Sequence, residues 1–329
     1  MNETSKKTVQ SMVDWITIGE DSDDQRLDNF LIKRCKGLPK SHIYRMVRTG
    51  EVRVNKARAK ISDRLKTGDV VRIPPIRLAA PSEKSALTIN PKKLDFDILF
   101  EDQGIIGINK PAGVAVHGGS GISLGVIEAM RKLRPTDKFL ELVHRLDRDT
   151  SGVLLIASKR RILLALHEAL RLGKVSKHYL ALVHGDVVKK QQEIKLPLMT
   201  YRLANGERRT KIDRAQGKAA HTIIQLLHRW QQDGQTYCLV EALPKTGRTH
   251  QIRAHLAALG CPIVGDDKYG NYDNNRLWAK KGHKRMFLHA SELIFIHPAT
   301  EKKIHLQAAL PETLQAFIDT LDTLNDHEH

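Results

Sequence analysis

The stretch VHRLDRDTSGVLLIAS, residues 143–158, sets His144, Arg145, Asp147, Arg148 and Asp149 within six positions and then runs into an apolar strand. A carboxylate on the loop before a buried strand is held by a rigid element. Arginines at 145 and 148 would favour its ionised form, because an opposite charge within reach lowers a carboxylate pKa. An ionised Asp can act as nucleophile or base without a cofactor. Asp147 is therefore the first candidate for chemistry. The same spacing also fits an Asp that caps a turn or pairs with a surface arginine. Asp149, followed directly by Thr150-Ser151-Gly152, is the better turn-capping candidate.

A second polar cluster is LPKTGRTHQIRAH, residues 243–255. Here a strand is expected to end at Pro244, a tight turn to carry Arg248, and a helix to start near Thr249. His250 and Arg253, three apart, share a helix face. Basic side chains and free N–H groups at a helix start suit a phosphate or carboxylate, although an ordinary basic helix start reads the same way. Other familiar sites are missing. There is no GxxxxGK[ST] and no GxGxxG, so no nucleotide cradle is signalled. HGGSG at 117–121 lacks phosphate-loop spacing and reads as a tight turn. The 16 histidines include no HExxH and no Cys/His set, so no metal site is expected. Cys35, Cys238 and Cys261 are far apart and read as buried or free thiols of a reducing compartment.

The elements that must hold these residues divide the chain. Its 329 residues allow two domains, and 41% hydrophobic content fills a sizeable core. The net charge of +17 is unevenly spread: residues 26–75 carry 14 Lys/Arg against 4 Asp/Glu, whereas residues 1–25 carry two Lys against six acids. Such a basic segment points to a polyanionic partner, most often nucleic acid. Residues 1–25 read as a loose tail with one short strand at WITIG. In RLDNFLIKRCK, Leu27, Phe30 and Leu31 fall on one helical face, and in PKSHIYRMVRTG so do Ile43, Met46 and Val47, with Gly50 as the stop. EVRVN and GDVVRIP read as a small hairpin. Lys33, Arg34, Lys36, Lys40, Arg45 and Arg48 remain as exposed helix positions. Residues 74–94 hold four prolines, and 76–94 read as a linker. From residue 95 to 325 a larger domain mixes hairpins and helices without regular βαβ alternation, which indicates α+β. In it, Leu124, Ile127, Met130 and Leu133 are spaced for one helix face, GVLLIAS is a fully buried strand, and 311–324 form a terminal helix. No apolar run reaches the roughly 20 residues that span a membrane, and the polar N-terminus shows no signal-peptide core, so a cytoplasmic protein is expected.

HRLDRDTSG and TGRTHQIR, with KHYLALV between them, resemble the RluA-type family of pseudouridine synthases; NKPAGVAVHGG, GDDKYG and LHASELIFIHP fit the same pattern. Residues 26–75 resemble an S4 RNA-binding domain. The resemblance implies a small S4 domain of two helices and a hairpin, joined to a catalytic domain on a mixed, mainly antiparallel sheet. It implies conversion of uridine to pseudouridine in 23S ribosomal RNA, with no cofactor, Asp147 as catalytic aspartate, and the rRNA or assembling large subunit as partner. Arg248 would pair with Asp147, and Tyr179 would stack on the target base and assist proton transfer at C5. Arg145 would fill the space left by the flipped uridine, with His144, Thr150 and Arg253 also facing the RNA. Lys40, Arg45, Arg48 and Arg53 would bind RNA from the S4 domain. The aspartate can attack C1′, add to the ring at C6 or abstract a sugar proton, and the residues do not choose among these. Three other readings remain: a non-catalytic ribosome-assembly factor, a sister synthase acting on other rRNA or tRNA, and a glycosidase using Asp147 with Asp149. A monomer is expected.

Overall fold

The apolar spacing around Leu27 and Ile43 produces two short helices packed on a small sheet. In the computed structural model, which describes residues 9–10, 13–35, 38–77, 96–118, 124–204, 207–232 and 234–326, the chain divides into two units, Met1–Leu87 and Thr88–His329. The first contains β1 (Val9–Gln10), β2 (Asp14–Thr17), α1 (Leu27–Arg34), α2 (Lys40–Arg48), β3 (Arg53–Val54), β4 (Ala57–Arg58), β5 (Val70–Ile73) and β6 (Ile76–Arg77). Leu27, Leu31, Ile43, Met46 and Val47 share one core with Val52 and Val71. The short strand expected at WITIG, within the acidic residues 1–25, forms over Asp14–Thr17. β2 pairs antiparallel with β5, giving the order β2-β5-β3-β4, and Ile18 is buried. Ile16 and Ile18 alternate inward and so cover an edge that the hairpin alone would leave open. Ile76–Arg77 pair with β1; the rest of the expected linker, 78–94, and Lys36 lie outside the described residues.

The second unit is built on a mixed sheet. Its elements are β7 (Asp97–Glu101), β8 (Ile105–Lys110), α3 (Val126–Leu133), β9 (Glu141–Leu142), β10 (Ser151–Ala157), α4 (Arg160–Arg171), β11 (Ser176–His184), β12 (Gln191–Ile194), β13 (Leu198–Arg202), β14 (Arg208–Ile212), β15 (Thr222–Gln232), β16 (Gln235–Pro244), α5 (Gln251–Ala258), α6 (Tyr272–Lys280), β17 (Leu288–Ile296), β18 (Lys303–Gln307) and α7 (Glu312–Asp326). The strand order is β12-β15-β16-β11-β17-β10-β8-β7, with β18 on β17 and β9 on β10. β10 and β17 run parallel; the other pairs of this sheet are antiparallel. The fold is α+β.

All seven residues of β10 are buried. Leu154 and Ile156 enter one core cluster, while Val153, Leu155 and Ala157 enter another. A sheet covered on both faces needs a continuous apolar run rather than alternation. Each such Val, Leu or Ile stabilises the strand by about 1.5–3 kcal/mol. Gly152 is required where β10 meets β17: its φ is +110°, and a Cβ there would overlap the Ala290 carbonyl. This close approach fixes the loop that precedes β10. In α3, Ile127 and Met130 are buried as expected, but Leu133 is exposed. It sits in the last turn, where the helix runs out from the core, and Val126 and Ala129 are buried instead.

Candidate active site

Asp147 lies at the end of the loop that β10 anchors, with its carboxylate 26% exposed. Its partner comes from 106 residues downstream. Nη1 of Arg253 donates to Asp147 Oδ2 at 3.0 Å, and no described residue donates to Oδ1. The Arg253 side chain is only 3% exposed. Its other edge is gripped by Asp266, with Nε donating to Oδ2 and Nη2 to Oδ1, both at 2.7 Å. The Asp266 carboxylate is wholly buried and also accepts from the backbone N–H groups of Lys268 and Tyr269. Burial works against the charge on Asp266, but Arg253 and the two N–H groups overcome it and lower its pKa. The Arg253 guanidinium is thus a buried cation shared between a fixed carboxylate and a reachable one.

The expected Arg248–Asp147 pair does not form. Arg248 is exposed, and its Nε donates to Ala219 O at 3.1 Å. The reason lies at the start of α5. The helix begins at Gln251, two residues later than the spacing suggests, with His250 as N-cap in the left-handed region at φ 51°. The buried Gln251 side chain accepts from Thr246 Oγ1 and Arg248 N and donates to His221 O. The turn therefore carries Arg248 to the rim and brings Arg253 to the carboxylate. Arg253 in turn cannot face RNA as expected, because Nε, Nη1 and Nη2 are all engaged by carboxylates. Neither flanking arginine serves Asp147. Arg148 closes a two-point pair with Asp149, 3.0 Å on each arm, and Arg145 is exposed. That pairing also occupies both oxygens of Asp149. No described backbone N–H donates to Asp149, so it pairs with Arg148 rather than capping the turn.

His250 lies beside the pair, Nε2 to Asp147 Oδ2 at 3.9 Å. Its Nδ1 lies 2.8 Å from the Tyr269 hydroxyl, which also accepts from Thr210 N, so the ring is held with Nε2 facing Asp147. Tyr179, on β11, is buried where the register shifts between His178 and Tyr179, a bulge that re-aims the side chain. Burial, and then the charge of Asp147, push its hydroxyl above the usual tyrosine range. It is a neutral phenol, fit to stack or donate. Thr150 is buried, its N–H donating to Asp147 O. His144 accepts from Leu155 N at Nε2, which ties the loop to β10.

Lys110 escaped the motif reading. It ends the apolar strand GIIGINK, is wholly buried, and donates from Nζ to the carbonyls of Pro111, Val114 and Arg148 at 2.7, 2.8 and 3.0 Å. Burial brings it down to about 7, opposed by Asp149 and Asp147. It bolts the aspartate loop to the turn after β8. A lysine closing a strand buried on both sides was the available signal. Asp266 lay within the quoted GDDKYG but carried no signal of its own, since its partner is set by the fold.

Asp147, Tyr179 and Arg253 open into a cavity of about 710 Å³. His144, Arg145 and Thr150 line it from the aspartate loop, and Arg248 and Arg208 from the opposite side. Buried neutral histidines of this unit set an acid limit to its stability. Burial, then Lys177, pushes His144 down to about 3; burial also lowers His250, His255 and His289. Unfolded histidines protonate near about 6.5. Their contribution is therefore complete above that pH and is lost as pH falls toward the folded values. The unfolding free energy from urea titration is expected to drop between pH 7 and pH 5, moving the midpoint with it, and His144→Asn to reduce that drop by up to about 1.4 kcal/mol per pH unit. A pH-independent midpoint would contradict this.

The geometry is a carboxylate oxygen with no donor among the described residues, beside a buried arginine, in a cationic cleft with a neutral phenol. The model of the RNA pseudouridylate synthase family matches residues 104–258, and that of the S4 domain matches residues 25–71. Ribosomal large subunit pseudouridine synthase C of Haemophilus influenzae is 47% identical, over 98% of this chain and 99% of its own. The protein of that name from Buchnera aphidicola is 48% identical, over 93% and 96%. Among solved structures, human RNA pseudouridylate synthase domain containing 4 aligns with a TM-score of 0.54 at 27% identity, over 69% of this chain and 93% of that one. The chain belongs to the RNA pseudouridine synthase family and carries an S4 domain.

Proposed function

We propose that the protein isomerises specific uridines of 23S ribosomal RNA to pseudouridine, with Asp147 as the catalytic carboxylate. The N1–C1′ bond breaks, the uracil turns, and C5 bonds to C1′. The observation that carries this reading is the division of labour on Asp147: Oδ2 is held by Arg253 while Oδ1 is free. Attack on C1′, addition at C6 and removal of a sugar proton all need such an oxygen. Tyr179 stacks on the flipped base, and as a neutral phenol it donates a hydrogen bond to it. Arg145, exposed at the cavity, fills the gap left in the RNA. Extruding a base costs a few kcal/mol and least in loops, which favours loop uridines. The ribosomal target rests on the names of the full-length relatives, and the same names favour the rRNA or assembling subunit over tRNA. Among the described residues no helix is long and apolar enough to cross a membrane.

The S4 domain binds RNA through phosphates. Lys40, Arg45, Arg48 and Arg53 are all exposed, and among the described residues the Arg53 side chain bonds only to the carbonyls of Gly50 and Lys56. Phosphate contacts make affinity fall steeply with salt. Arg45→Ala with Arg48→Ala is expected to weaken rRNA binding and flatten the salt dependence, measured by filter binding across potassium chloride concentrations. An unchanged slope would remove this face from the interface. The reaction itself is tested by incubating 23S rRNA with the purified protein and mapping pseudouridine.

A further inference from the structure

Beside the active-site cavity lies a second groove of about 370 Å³. It runs between the end of α4, the start of β11, the end of β16 and the edge where β17 meets β18. The two share Leu170, Lys177, Pro244 and Lys245, so the groove adjoins the cavity that contains Asp147. Lys174, Lys177, Lys245 and Lys303 line it, and no Asp or Glu does. Its floor is apolar, from Leu243, Ile294 and Ile296, and Ile296 is 52% exposed.

Lys177 marks the junction. It is half-buried, forms no ion pair among the described residues, and sits against neutral His144. Burial lowers its pKa, with no carboxylate opposing the shift. A desolvated cation without a counter-ion is costly, and an arriving anion relieves that cost. α4 presents its carbonyl end here, which disfavours an anion. The lysines alone therefore supply the attraction. A row of cations over an apolar floor suits a single-stranded nucleic acid, with phosphates on the lysines and bases or riboses on the aliphatic surface.

We propose that this groove holds the phosphodiester backbone of the RNA strand on one flank of the uridine bound at Asp147. The inference rests on the RNA-modifying reading of that site and names where its substrate continues. Lys174 and Lys303 test it, because both are exposed and neither lines the cavity that contains Asp147.

The experiment compares wild type with Lys174→Ala/Lys303→Ala on 23S rRNA fragments. Pseudouridine formation gives the KM, and filter binding gives the salt dependence. The expected result is a KM raised about tenfold and a log–log salt slope reduced by about 1.4, since each lost single-strand phosphate contact removes about 0.7. Fragments trimmed on one side of the target uridine are expected to erase the difference between the two proteins, while fragments trimmed on the other side keep it. Equal KM and slope on the full fragment would overturn the groove, as would a deficit that persists on both trimmed fragments. Wild type that binds the fragments without forming pseudouridine would defeat the reading of the reaction, and the binding slopes would still decide the groove.

Discussion

Asp147→Asn is expected to fold, to bind rRNA with wild-type affinity, and to form pseudouridine at least about a thousandfold more slowly. The substitution preserves volume and keeps an oxygen that can accept from Arg253 Nη1, now at 3.0 Å. The buried guanidinium is not orphaned, because Asp266 holds its other edge with two bonds. The cost to stability is therefore of the order of one hydrogen bond to a charged group, about 1–3 kcal/mol. The reacting oxygen is lost as an anion, and all three first steps open to a carboxylate need that anion. Single-turnover assays beside thermal unfolding and RNA binding check each part. Residual turnover above a tenth of wild type would remove Asp147 from its role.

Asp266→Ala is expected to cost both stability and rate. Arg253 and Asp266 form an ion pair closed to water, and removing one member leaves an uncompensated buried charge, worth roughly 3–5 kcal/mol. It also frees Arg253 to swing, so Asp147 loses a fixed partner and kcat falls by about a hundredfold, with KM for RNA little changed. A second variant separates the two effects. Arg253→Met with Asp266→Leu removes both charges and fills the space, an exchange that is often neutral for stability. It is expected to recover much of the unfolding free energy without recovering kcat. Recovery of both would show that Asp266 serves the fold alone and does not position the catalytic pair.

The contrast between these residues shows what could be read from the sequence. The placement of Asp147 on a loop before a buried strand was legible because the signal is local: a charged stretch abutting a fully apolar run. The α+β class was legible from the order of apolar patterns. The choice between Arg248 and Arg253 was not legible, because it depends on where α5 begins. Thr249 was a plausible start; His250 in a left-handed conformation and the buried Gln251 side chain move it by two residues and exchange what the two arginines do. Asp266 and Lys110 were hidden for a different reason. Their partners lie 13 and 38 residues away, the latter a main-chain carbonyl, and no periodicity encodes such pairs. The strand at 14–17 was legible in WITIG despite its acidic neighbours, since net charge reports on the surface of a segment and not on Ile16 and Ile18 beneath it.

The account turns on one carboxylate acting on ribosomal uridines. Site-by-site mapping of pseudouridine in unmodified 23S rRNA, after incubation with wild type and with Asp147→Asn, tests it most directly. A small set of new pseudouridines is expected with wild type and none of them with Asp147→Asn. If both proteins bind the rRNA and neither modifies it or tRNA, the chain is an RNA-binding assembly factor and the catalytic assignment of Asp147 is wrong.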